Sequence, residues 1–227
     1  MITGPIIEPS SGNQPKQVVI FVHGYGADGN DLIGLANYFK GNLPDTVFLS
    51  PHAPEACPMN PAGYQWFDLT SRDPAILWSK ILVAADHLNE FIDSTLEKYE
   101  LTDENLALVG FSQGTMMSLH VSLRRKNTMA GVLGYSGKLI APELLKNDLI
   151  SKPPIYLIHG DQDPMVPFQE TLDAETNLKE YDVDIKSHIS KFTQHSIAED
   201  GLRIGIEFLT SRPVSYTHLR AHETSQH

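Results

Sequence analysis

The chain has 227 residues, of which 41% are hydrophobic and 20% charged, a composition that suits one soluble globular domain with a sizeable core. Its formal charge of −11 argues against a nucleic-acid backbone or an anionic membrane surface as the main partner. No apolar run approaches the length of a membrane span, so no stable membrane insertion is expected. The start, MITGPIIEPSSGNQPK, has neither the basic opening nor the apolar stretch of a secretory signal. The lone cysteine, Cys57, cannot form an internal disulfide, which fits a reducing compartment and a cytoplasmic location.

In chain order, short runs read as buried strands at Gln17–His23, Thr46–Ser50, Asn105–Phe111, Ala130–Ser136, Pro154–His159 and Asp184–Ser190. Most are continuously apolar rather than alternating, as in a parallel sheet covered on both faces. The last alternates and belongs nearer an edge. Ile2–Ile7 is read as an added antiparallel edge strand. Helical patterns lie between, at Asp31–Phe39, Ala75–Tyr99, Thr115–Lys126, Phe168–Tyr181 and Ile197–Thr210. The clearest places Leu77, Ile81, Ala84, Ala85, Leu88, Phe91, Ile92 and Leu96 on one stripe. Strands alternating with helices predict βαβ units and an open, mostly parallel sheet with helices on both faces.

One connection, His52–Pro74, is long, rich in proline and aromatics, and without period; such loops are often functional. Residues 1–211 are expected to form a single domain. Residues 212–227 read as a disordered, non-native tail, because VSYTHLRAHETSQH has no apolar period and follows a helix stopped by Pro213. Within it, HETSQH resembles the zinc motif H-E-x-x-H, but one residue too many separates His222 from His227. No metal or other cofactor is expected.

Gly110-Phe111-Ser112-Gln113-Gly114 fits G-x-S-x-G between an apolar strand and a helical pattern. In that setting the turn is so tight that flanking side chains would collide, and the serine hydroxyl projects from the carboxyl end of the sheet. The amide of Gln113 then opens a helix, where partial positive charge favours an oxyanion. A serine needs a base oriented by a third group. IYLIHGDQDPMVP leaves a strand with two carboxylates, Asp161 and Asp163, either able to reach an imidazole over the rim. Spacing does not choose between them; the turn-capping role is assigned to Asp161. His195, in a loop between the last strand and the last helix, lies where the base is expected, and an imidazole cycles protons near neutrality. His87, His120 and His188 fall inside helical or strand patterns and read as structural.

After the first core strand, His23-Gly24-Tyr25-Gly26 offers a flexible backbone that can turn the Tyr25 amide toward a developing oxyanion. A phosphate-binding loop is discounted, because neither the dinucleotide spacing nor a Walker lysine is present. Met59, Trp66 and Phe67 on the long loop, with Met165 beside the acid, are the candidate substrate-binding residues; aromatics and methionine there suit an acyl-chain groove, with core packing as the rival role. No inserted cap domain is visible.

FVHGYGADGNDL, PHAP, WFD, GFSQGTMMS, GYSG, HGDQDPMVP and a final HSI occur in the order found in the small carboxylesterase, lysophospholipase and acyl-protein thioesterase family, which the chain resembles up to about Ser211. The resemblance implies an α/β-hydrolase fold without a large cap, a triad of Ser112, Asp163 and His195, and oxyanion donors from the amides of Tyr25 and Gln113. It implies cofactor-free hydrolysis of small carboxylic esters or thioesters with short to medium acyl chains, through an acyl-enzyme, by a monomer or homodimer. Two departures stand out. The residue after His23-Gly24 is commonly leucine and here is tyrosine, whose ring is expected to narrow the acyl site. KFTQH lacks the glycine that often precedes the family's histidine. A perhydrolase using the same triad and a non-catalytic binding module on the same scaffold are the alternatives.

Overall fold

The computed structural model describes residues 1–71 and 73–212; the tail read at 212–227 lies, beyond Arg212, outside the described residues. Strands β1 (Ile6–Ile7), β2 (Gln17–Val22), β3 (Thr46–Leu49), β6 (Leu106–Phe111), β7 (Gly131–Tyr135), β8 (Ile155–Gly160) and β9 (Ile185–Ser190) form one sheet in the order β1-β3-β2-β6-β7-β8-β9. Every pairing is parallel except the edge strand β1, which runs antiparallel to β3. The chain steps outward from β2 to β3 on one side and from β6 to β9 on the other. The reversal lies between β2 and β6, so a crevice opens at their carboxyl ends.

Helices cover both faces. On one, α3 (Pro74–Tyr99), α4 (Gln113–Arg124) and α6 (Gln169–Lys179) pack Ile81, Leu88, Met117, Val121 and Leu178 onto Ile20, Leu108, Val132 and Leu157. On the other, α1 (Gly29–Ile33), α2 (Ala36–Phe39) and α7 (Glu199–Thr210) pack Leu32, Phe39, Phe208 and Leu209 onto Phe21, Val109 and Leu133. Strand residues thus alternate between two dry layers, which is why the strand sequences are apolar throughout. Each such side chain contributes roughly 1.5–3 kcal/mol by leaving water.

The expected strands and helices are present with ends shifted by a residue or two, except the edge strand read over Ile2–Ile7, which is confined to Ile6–Ile7. The stretch read as one helix from Asp31 divides into α1 and α2, because after Gly34 the chain closes three-residue turns (Asn37 N–H to Gly34 O, 3.1 Å) before α2 begins. The long loop is not structureless. It folds into an antiparallel hairpin, β4 (Glu55–Cys57) and β5 (Asn60–Gln65), with an irregular register after Ala56. Pro61 and Gly63 and the missing alternation hid these strands from the pattern. A short helix, α5 (Leu145–Asp148), follows β7. No helix among the described residues is long and apolar enough to cross a membrane.

Candidate active site

Ser112 stands at the carboxyl end of β6 as the N-cap of α4, with φ 54° and ψ −116°. That conformation costs a non-glycine residue on the order of 1–3 kcal/mol. Two contacts hold it. The Ser112 amide donates to Tyr135 O on β7 (2.8 Å), and Ser112 O accepts from the amide of Thr115 (3.0 Å). The turn closes because α4 presses directly on β2: a Cβ on Gly114 would lie 1.7 Å from the Val22 carbonyl oxygen. On Gly110 it would lie 2.6 Å from the Gly114 backbone. Both glycines are therefore required by close backbone approach.

Asp163, in the loop after β8, and His195, in the loop after β9, are brought together: His195 Nδ1 donates to Asp163 Oδ2 at 2.7 Å. Asp163 Oδ1 accepts from the amides of Met165 (2.8 Å) and Val166 (2.9 Å). Burial works to raise the Asp163 carboxyl, but the hydrogen bonds from His195, Val166 and Met165 outweigh it and hold the group below its ordinary value. The turn-capping role expected of Asp161 is filled by Asp163 itself, whereas Asp161 accepts from the Thr193 amide (3.3 Å) and ties the two loops together. The His195 ring packs on Phe111, with centroids 4.9 Å apart, which sets it beside the residue before Ser112. Among the described residues no hydrogen bond joins the Ser112 hydroxyl to His195. In unliganded sites this contact is commonly long and tightens around substrate.

The candidate oxyanion loop leaves β2 against the elbow: a Cβ on Gly24 would sit 3.4 Å from Ser112 Cβ. His23 shapes this loop. Its buried ring accepts from the Ala53 amide at Nε2 (2.9 Å) and donates from Nδ1 to Gly24 O (2.8 Å). Burial lowers its pKa, so the ring stays neutral and keeps that tautomer. The Tyr25 amide finds no acceptor among the described residues, nor does that of Gln113 at the start of α4. Both remain available to an incoming oxygen. The Tyr25 phenol sits against the Cys57 thiol of the hairpin, which raises it above the ordinary tyrosine value. Tyr25 does not line the large cavity described next, so its ring does not narrow that space.

A cavity of about 660 Å³ reaches the first turn of α4 at Met116, although neither Ser112 nor His195 is part of its wall. Its walls include Met116, one turn beyond Ser112, with Phe67, Leu69, Leu77, Ile140 and Met165. Phe67 and Met165 are part of this lining. Trp66 does not. It is 1% exposed, its indole N–H donates to His23 O (2.9 Å), and its amide donates to Gln113 Oε1 (2.9 Å). The Gln113 amide group donates in turn to Phe67 O (2.7 Å). Trp66 is thereby a brace between the loop after β2 and the start of α4, with its ring buried and its N–H given a partner. Met59 is 81% exposed at the turn of the β4–β5 hairpin and does not line the cavity.

Sequence reasoning passed over two groups. The Gln113 side chain was hidden behind the interest in its amide. His159, the residue before Gly160-Asp161, was read only as a strand end, yet its Nε2 lies 3.2 Å from Asp163 Oδ2. A histidine four residues before the acid, at a strand's carboxyl end, was the available signal. Of the histidines read as structural, His120 is buried against Trp78 (centroids 5.2 Å), and His188 pairs with Asp200 at 2.7 Å.

The sequence pattern of the phospholipase/carboxylesterase family matches residues 4–212. The chain is 30% identical to acyl-protein thioesterase 1 of Saccharomyces cerevisiae over 67% of its own length and 72% of that protein. It is 28% identical to acyl-protein thioesterase 1 of Kluyveromyces lactis, covering 90% of this chain and 96% of the relative. Among solved structures, the esterase PE8 superposes with a TM-score of 0.89 at 37% identity, covering 93% of this chain and 99% of the other. With a parallel sheet clad by helices on both faces and no large cap, the chain belongs to the phospholipase/carboxylesterase family of α/β-hydrolases.

Proposed function

We propose that the chain is a serine carboxylesterase acting on small esters or thioesters with short to medium acyl chains. The observation that carries the reading is the pairing of His195 Nδ1 with Asp163 Oδ2 at 2.7 Å above an elbow that holds Ser112 at φ 54°. With Nδ1 donating to the carboxylate, Nε2 of neutral His195 is the acceptor and serves as base. Ser112 Oγ attacks the carbonyl carbon as its proton passes to Nε2. The oxyanion takes hydrogen bonds from the amides of Tyr25 and Gln113. Protonated His195 returns the proton to the leaving alcohol or thiol, and the acyl group stays on Ser112. Water, deprotonated by His195, then repeats the sequence and releases the acid. Asp163 stays ionised throughout; the hydrogen bonds from His195, Val166 and Met165 that lower its pKa favour the carboxylate.

The apolar wall of Leu69, Leu77, Met116 and Ile140 suits an acyl chain. The Met165 side, where that residue is 70% exposed, is left to the leaving group. Curated relatives named acyl-protein thioesterase support thioesters as well as oxygen esters, since the same steps serve both leaving groups. The test is hydrolysis of a chain-length series of nitrophenyl esters by wild type and Ser112→Ala. Activity that peaks at short or medium chains and disappears in the variant supports the reading. Undiminished activity in Ser112→Ala removes it.

A further inference from the structure

Asp163 Oδ2 has two imidazole neighbours: His195 Nδ1 at 2.7 Å and His159 Nε2 at 3.2 Å. His159, on β8, is 1% exposed. Its Nε2 also lies 2.8 Å from Val166 O, and its Nδ1 lies 2.8 Å from Thr171 Oγ1 on α6. Both oxygens facing Nε2 accept only, one being a carbonyl and the other a carboxylate. Nε2 must therefore carry the proton. Burial lowers the His159 pKa by more than Val166 O and Asp163 raise it, so the ring is neutral. Its Nδ1 is then an acceptor, and the Thr171 hydroxyl donates to it. A hydroxyl can donate or accept, so Thr171 follows the tautomer that the two acceptors at Nε2 impose.

We propose that His159 is a positioning residue for Asp163: its Nε2 proton, shared with Val166 O, faces Oδ2 beside His195, fixes the carboxylate, and draws off part of the charge that would otherwise act on His195. This rests on the triad reading above. The titratable groups that face the cluster among the described residues are Asp163 from the loop after β8, His195 from the loop after β9 and His159 itself. From α6 it is faced by the uncharged Thr171 hydroxyl. Two donors on one oxygen share its charge. Removing the His159 donor leaves that charge to His195, which favours the imidazolium and moves the acid limb of the rate upward in pH. A histidine that merely packed α6 onto β8 would affect stability and active fraction but not the position of the limb.

The test is kcat/KM against pH, from about pH 5 to about pH 9, with a soluble chromogenic ester and active sites counted by fluorophosphonate labelling. The proteins are wild type, His159→Phe, His159→Leu and His159→Gln. His159→Phe and His159→Leu are expected to move the acid limb upward by about half a unit or more. They should also lower kcat roughly 3- to 10-fold, as loss of one hydrogen bond implies. His159→Gln, whose amide can replace the Nε2 donor, is expected to retain the wild-type limb. If His159→Phe does not fold, the smaller His159→Leu carries the test. A wild-type limb per labelled site in the folded donor-removing variants overturns the proposal. Ser112→Ala, run alongside, separates the two readings: if it is inactive while the limbs coincide, only the role of His159 is lost. If it is fully active, the triad itself falls.

Discussion

The elbow around Ser112 and the cavity wall, which meets it through Met116 one helical turn on, are built by opposite means. At the elbow, backbone presses on backbone: Gly114 meets the Val22 carbonyl, and the Ser112 amide is tied to Tyr135 O. The wall is made of side chains from four separated segments, among them Leu69, Leu77, Met116 and Ile140. A backbone contact tolerates no change of residue, whereas a wall of flexible apolar side chains can be reshaped without disturbing the fold. Under the proposed function, chemistry is set by the rigid region and substrate preference by the adaptable one.

The sharpest way to break that contrast is Gly114→Ala. The added carbon cannot be accommodated 1.7 Å from Val22 O, so the protein should lose more than about 4 kcal/mol or fail to fold, read by denaturant unfolding. Asp163→Asn should leave the fold intact while lowering kcat roughly 10⁴-fold, because the amide favours the wrong His195 tautomer. Circular dichroism and ester turnover together check it. At the wall, Leu77→Trp should shift the optimum toward shorter acyl chains, with a loss of about 10-fold for the longest ester and little change for acetate. If instead all chain lengths fall equally, the wall is not the acyl site.

A smaller effect concerns the layer beneath both regions. Burial, aided by Arg124, pushes the His120 imidazole down to about 3. The unfolded chain binds a proton there below about pH 6.5 and the folded one does not, so stability is full above that value and lost as pH falls toward 3. His120→Leu should remove about 2 kcal/mol of that loss at pH ~5, seen as a shallower fall of unfolding free energy with acid. At the far end of the scale, Met59→Ser on the exposed hairpin turn should leave kcat/KM within about 2-fold, since Met59 touches neither elbow nor wall.

The same contrast explains what was legible in the sequence. Continuous apolar runs and glycines at fixed offsets follow from local rules, so the sheet, its helices and the elbow could be read directly. The acid and base could be ordered along the chain, but the choice between Asp161 and Asp163 depends on which loop faces which, and that is a tertiary fact. Trp66 shows the limit. An aromatic on a long loop near the rim suits a substrate groove and a brace equally well, and only its partners, His23 O and Gln113 Oε1, show which it is. The β4–β5 hairpin escaped because neither of its strands buries an alternating face, so no period marked it. His159 escaped because its partners, Asp163 and Thr171, come from different segments.

Activation of the Ser112 hydroxyl by the His195–Asp163 pair is tested most directly by fluorophosphonate labelling followed by peptide mapping. A single adduct on Ser112, formed rapidly by wild type and suppressed in His195→Ala, is the predicted result. An active, folded protein that stays unlabelled at Ser112, or labels there just as fast without His195, would contradict it.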